Sequence, residues 1–306
     1  MWGEAPHIIL IKIMSSGFVT PITIKDAIDN IVDRTYLLPA IQRKFVWSSD
    51  QIEVLFDSIM RGYPINSFMF WEVKENKVKN EFKFYQFLTE YRQFFKEDNP
   101  DIDTKGYKDF KAVIDGQQRL TSLYIGLKGS YAYKLPRKWW YDNEENIPTR
   151  HLYLNLSNPL PDENERQMTF DFQFLTKQEF ERKITSGDIW FKANDILKFE
   201  KTNDLDNFIE ESGWLSKTFT KDTIRQLRKV IFEDKLINYY LETTQEIDTV
   251  LDIFIRTNSG GEPLSFSDLL MSITTAHWKS DARKEIPDVV NKVFEIGNPG
   301  FLISKD

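Results

Sequence analysis

An α+β fold is what the sequence predicts, and three patterns carry that expectation. Residues 36–74 pass from a short apolar run through a helical stripe to an aromatic-rich run. Residues 112–127 go from Ala112, Val113 and Ile114 through Gly116 to Leu120, Leu123, Tyr124 and Leu127 at helical spacing. From about Lys201 the apolar residues fall mainly at helical intervals. The expected architecture is a mixed-sheet core with inserted strands and a mainly helical C-terminal part.

Composition bounds the classes available. With 306 residues, 41% of them hydrophobic, and with 24 Phe, 12 Tyr and 8 Trp, the chain can bury a large aromatic-rich core. No run of about 18 apolar residues is present, so a membrane span is not expected. The apolar residues from His7 to Met14 lack a charged leader and a small-residue cleavage site. Cysteine is absent, which removes disulfides, thiol catalysis and thiolate metal sites and is compatible with the cytoplasm. A net charge of -7 argues against gripping nucleic acid over the whole surface, because duplex binding needs many cations against phosphates. Lys134, Arg137 and Lys138 beside Trp139, Trp140 and Tyr141 form a local basic and aromatic cluster. It suits a nucleotide base or single strand, although an ordinary loop with anchoring aromatics is the favoured reading.

The elements follow in order. Residues 1–19 carry no assignable pattern. Thr23 with Asp26 caps a helix whose stripe is Ala27, Ile28 and Ile31. Tyr36, Leu37 and Leu38 make a short strand that Pro39 limits. Ser48 with Gln51 caps the next helix, Ile52, Leu55, Phe56 and Ile59 share a face, and Gly62 and Pro64 end it. Trp47 is expected to anchor the start of that helix by packing. Residues 66–74 read as a buried strand. Residues 74–110 are expected to be a variable surface insertion, with a strand running into a helix over 82–95, an acidic loop over 97–104, and Glu90 and Arg92 solvated. After the central helix and its stop at Gly129, strands are expected over 151–156, 169–174 and 188–192, with a helical turn at 195–197. Helices over 203–234, a strand over 235–241 and a helix from Ile247 follow, then one capped by Ser265 and Asp268.

The unusual polar chemistry sits in Asp115-Gly116-Gln117-Gln118-Arg119. Strand, tight glycine turn and helix start place two amides and a guanidinium in the first turn of a helix. Unpaired backbone N–H groups and the helix dipole already favour an anion there. An ordinary helix start capped by Asp115 explains the same residues equally well. Near the far end, Phe254, Arg256, Asn258, Gly260 and Gly261 run from a helical face into paired glycines. Such a turn either brings backbone N–H groups to a ligand or simply caps the helix. A Walker-type loop is absent, and His7, His151 and His277 are too scattered for a His-Asn-His nuclease.

The order Ile41-Gln42-Arg43-Lys44-Phe45-Val46-Trp47, then the Asp115 to Arg119 string, then Phe254-Ile255-Arg256-Thr257-Asn258-Ser259-Gly260-Gly261 resembles the N-terminal domain of GmrSD-type modification-dependent restriction systems. That bacterial family is related to the ParB and sulfiredoxin-like fold. Many relatives have proline where Lys44 stands. The resemblance implies a ParB-like nucleotide-binding domain over 20–200 and a helical extension over 201–306 that completes the site and belongs to a longer protein. It implies binding and hydrolysis of a nucleoside triphosphate with Mg2+, coupled to restriction of modified or foreign DNA. Asp115, Gln117, Gln118 and Arg119 would be catalytic, with Asp115 holding the metal or activating water. Gln42, Arg43, Gly116, Thr121, Arg256, Asn258, Gly260 and Gly261 would bind the nucleotide. DNA would be reached through a missing C-terminal domain or partner subunit, and a homo-oligomer is compatible. The alternatives are a ParB-like nucleotide switch without turnover and a ParB-like nuclease that cuts DNA with Asp115 and metal.

Overall fold

Local signals start most of the elements. In the computed structural model, which describes residues 16–258, Thr23 and Ser48 each accept from a backbone N–H three residues on, and Asp26 and Gln51 return the bond. These capping boxes begin α1 (Ile24–Val32) and α2 (Ser49–Met60), which follow β1 (Gly17–Phe18) and flank β2 (Tyr36–Pro39). Next come β3 (Phe68–Val73), α3 (Asn76–Glu81), β4 (Phe84–Tyr85) and β5 (Glu90–Arg92). The central β6 (Phe110–Asp115) and α4 (Gln117–Lys128) lead into β7 (Ser130–Ala132), β8 (Thr149–Asn155) and β9 (Phe172–Leu175). The chain continues through α5 (Lys177–Thr185), β10 (Trp190–Lys192) and a 3-10 segment at Ala193–Lys198. It then forms α6 (Thr202–Glu211), α7 (Thr218–Phe232), β11 (Tyr239–Glu242) and α8 (Ile247–Asn258). The fold is α+β.

One mixed sheet runs in the order β1-β11-β3-β6-β2-β4. β6 is parallel to β2 and antiparallel to β3, and β11 is parallel to β3. Alternate side chains therefore face opposite layers. Tyr36, Leu38, Phe68, Phe70 and Val113 join the apolar stripes of α1, α2, α4 and α7. Leu37, Met69, Trp71, Ala112 and Ile114 join Val78 of α3 and Val250, Leu251 and Phe254 of α8 on the other face. The strand at 239–242 lies inside this sheet, so the chain after residue 201 supplies both cover and backbone pairing.

A second sheet runs β10-β8-β7-β5, with β9 paired to β8. Two acids of α2 tie it to the first layer. Glu53 accepts from the Phe174 N–H at 2.8 Å, and Asp57 accepts from Thr169 and Phe170 at 2.9 and 2.8 Å. Burial pushes the Glu53 carboxyl above its ordinary value, against the opposing pull of Arg166 and the Phe174 N–H.

Several expectations are corrected. Residues 82–95 hold no helix; α3 precedes them, and they form β4 and β5. The cause is tertiary: Phe82, Phe84, Tyr85, Phe87, Leu88 and Tyr91 are all buried, and β4 and β5 join one sheet each. Residues 82–91 of the insertion are thus core, while most of 93–109 lies at the surface. Arg92 is not solvated, since it ion-pairs with Asp142 and Glu144. The α5 helix went unanticipated although Thr176 and Glu179 spell its capping box. Trp47 packs against the core as expected, and its carbonyl accepts from the Tyr131 hydroxyl at 3.0 Å. Gly129 does end α4, but with φ -116 it is not a left-handed cap. A Cβ there would lie 1.7 Å from the Thr89 carbonyl oxygen, so glycine serves the close approach of two backbones. The helix expected after Ser265 lies outside the described residues.

Two outcomes are expected. Gly129→Ala should lose about 1–3 kcal/mol of unfolding free energy in urea melts, the usual cost of overpacking a site with little room to yield; an unchanged midpoint would contradict the close approach. For Glu53 the folded pKa is raised, so its contribution to stability is fully present below the unfolded value of 4.5 and is lost as pH rises through the raised one. Glu53→Gln should therefore gain stability relative to wild type as melts are moved from pH 4.5 towards neutrality.

Candidate functional site

At one end of the mixed sheet, β6 delivers Asp115 and the chain turns at once into α4. Gly116 makes that turn with φ 89, the left-handed region where side chains are strained. It is the N-cap residue, so Asp115 does not cap the helix. A Cβ on Gly116 would also stand 2.1 Å from the Phe68 ring. The glycine thus admits an aromatic ring from β3 on the side where a Cβ would stand.

The polar side chains of the motif reach backward to two loops. Gln117 Nε2 donates to the Arg43 carbonyl at 2.9 Å, and Gln118 Nε2 donates to the Lys44 carbonyl at 3.0 Å. Gln118 Oε1 accepts from the Val46 N–H at 3.0 Å. Gln42 is buried and donates to the carbonyls of Val113, at 3.2 Å, and Ile114, closing the end of β6 where β2 has left it. Arg119 donates to the carbonyls of Ile65 and, at 3.0 Å, Ser67, pairs with Asp115 at 3.1 Å, and lies 4.4 Å over the Phe68 ring. Asn66, between those carbonyls, has φ 60. Arg119 therefore holds a strained corner that leads into β3. Burial pushes its guanidinium below the ordinary value, while Asp115 pulls the other way.

The structure brings Gln42, Arg43 and residues 115–119 into one corner. Thr121 lies one turn further on, fully buried, and its hydroxyl has no partner among the described residues. The same holds for Gln117 Oε1, in a side chain only 3% exposed. Arg256 and Asn258 end α8, on the face of the sheet opposite α4, and Arg256 is exposed and paired with Asp252 at 2.9 Å. The preceding Phe254 shares an apolar cluster with Ile41 and Ile114, the neighbours of Gln42 and Asp115. Gly260 and Gly261 lie outside the described residues. The sequence reading missed Phe68 and the carbonyls of Ile65 and Ser67. No local pattern marks them, since their partner is about fifty residues away.

The corner sets the first-turn N–H groups of α4, the anion-favouring end of a helix, beside the loop whose Arg43 and Lys44 carbonyls accept from Gln117 and Gln118. Lys44 also pairs with Asp98 at 2.6 Å. It does not offer the Arg119 guanidinium freely, because that group is occupied by carbonyls. No group of His, Cys, Asp or Glu side chains able to hold a metal ion by itself occurs among the described residues. Mg2+ commonly binds through one carboxylate plus the oxygens of a substrate phosphate, an arrangement compatible with Asp115.

The cluster at 134–141 is corrected too. Its aromatics do not anchor the loop: Trp139, Trp140 and Tyr141 are exposed.

The chain belongs to the family of GmrSD restriction endonuclease N-terminal domains, whose model matches residues 24–275. The uncharacterized protein MJ0686 of Methanocaldococcus jannaschii is 32% identical over 113 residues, which is 37% of this chain and 17% of that protein. The chain thus matches a minor part of that relative's length. No helix among the described residues is long and apolar enough to cross a membrane.

Gly116→Ala is expected to cost about 2 kcal/mol or more, from a strained φ and a clash with Phe68. Adding Phe68→Leu should recover part of that loss in thermal melts. A double variant no better than the single one would mean that backbone strain alone requires the glycine.

Proposed function

We propose that this chain is the nucleotide-binding module of a restriction system acting on modified or foreign DNA, with a nucleoside triphosphate held at the corner of Arg43 and the α4 N-terminus. One observation carries the reading: the two glutamine amides fasten the backbone of Arg43 and Lys44 against the anion-favouring end of α4. Arg43 supplies charge to the phosphates, and the N–H groups of residues 117–119 supply donors. Gln117, Gln118 and Arg119 act here as positioning residues, a change from the catalytic roles the resemblance implied. Asp115 is the carboxylate available for Mg2+ or for orienting water, with Arg119 fixing its position. Asp115 would hold the Mg2+, which would supply positive charge against that of the phosphates. A ParB-like core is part of the same reading. DNA cleavage belongs to another segment or to a partner subunit.

The two amides are spent on backbone, and this favours a second version, a nucleotide switch that binds without turnover. A calorimetric panel of the four triphosphates with Mg2+, joined to phosphate-release assays, separates the two. At least one nucleotide should bind, and Arg43→Ala should weaken it roughly tenfold or more, as loss of a charge-assisted bond does, with the melting temperature kept. Asp115→Asn should abolish Mg2+-dependent release if turnover occurs. Wild-type affinity in Arg43→Ala would refute the placement.

A further inference from the structure

The exposed rings at 139–141 are not isolated. β5 and β7 pair in parallel, Arg92 opposite Ala132, so both chains leave the second sheet at the same end. The turn after β5 carries Phe94, 70% exposed, and Phe95; the loop after β7 carries Trp139, 76% exposed, Trp140 and Tyr141. Phe94 lies 5.2 Å from Phe95 and 5.5 Å from Trp140, centroid to centroid. Large aromatics usually seek burial, and a contiguous exposed group of them marks a contact surface.

The display is held stiffly. Arg92 ties the first loop to Asp142 and Glu144 of the second, and Asn146 donates to the Trp139 carbonyl at 2.9 Å. Lys134 Nζ donates to the carbonyls of Leu135 and Lys138 and lies 5.4 Å over the Trp140 ring. Phe94 and Arg137 sit at φ 73 and 62, an unfavourable backbone in both loops that their surroundings maintain.

Chemistry selects the guest. Residues 134–141 carry Lys134, Arg137 and Lys138 and no carboxylate, on a chain of net charge -7. The nearby acids are engaged: Asp142 and Glu144 by Arg92, Glu145 by Lys138. Planar rings edged with cations suit planar, anionic-backbone ligands.

We infer that Phe94, Trp139, Trp140 and Tyr141 form a stacking platform for unpaired bases of single-stranded nucleic acid, with Arg137 beside the backbone. Stacking and the cationic rim act together, so affinity falls as salt rises. The inference rests on the DNA-directed part of the reading above but uses none of the nucleotide corner.

The test uses the full chain with a fluorescein-labelled oligo-dT of about 20 nucleotides and a duplex of equal length. Single strand should bind in preference to duplex and quench tryptophan fluorescence. Trp139→Ala/Trp140→Ala should weaken oligo-dT roughly tenfold or more, and Phe94→Ala less. Circular-dichroism melts and the triphosphate titrations of both variants should match wild type, so failure here is distinct from failure of the nucleotide site. Unchanged oligo-dT affinity in the double variant overturns the platform. So does equal preference for duplex, or a loss of self-association by the variant with no loss of oligo-dT, which would make the surface a contact between copies.

Discussion

The arrangement of this molecule depends on how the first turn of α4 spends its polar side chains. A helix start leaves N–H groups without partners, and the loops around a sheet end leave carbonyls without donors. Gln117 and Gln118 answer the loop that follows β2, and Arg119 answers the loop that precedes β3. Both neighbours of β6 are thereby held at the end where their ladders stop. Gln42 closes the remaining gap from the opposite side.

This use of the motif changes what its charge can do. The Arg119 guanidinium is bonded to two backbone carbonyls and a carboxylate, so turning it towards a phosphate would cost some of those bonds. Arg43 is held by its backbone carbonyl, which accepts from Gln117. Hydrogen bonds to backbone also tolerate variation in the surrounding side chains, because every residue offers a carbonyl.

The same logic recurs between the sheets. Glu53 and Asp57 of α2 accept from the N–H groups of residues 169, 170 and 174, satisfying an edge that no strand covers. Burying these acids is costly, and Glu53 shows it in its raised pKa. Arg166 and Arg61 offset part of that cost, since each lies against one of them.

Local chemistry by itself determined the capped helices α1 and α2, the strand-turn-helix at 110–128, the strands over 149–175 and the helical run from 202 to 232, because caps, glycines and apolar spacing act within a few residues. It also marked the residues of the corner, and their family. Tertiary structure decided what those residues touch. The aromatic stretch at 82–91 reads equally as helix or strand until two sheets claim its rings. Gly116 and Gly129 look like flexible punctuation until Phe68 and the Thr89 carbonyl are seen to occupy the space a Cβ would need. Whether Trp139 and Trp140 anchor or display depended on Arg92, an ion-pair partner some fifty residues away. Such contacts join segments far apart in sequence, and spacing along the chain carries no record of them.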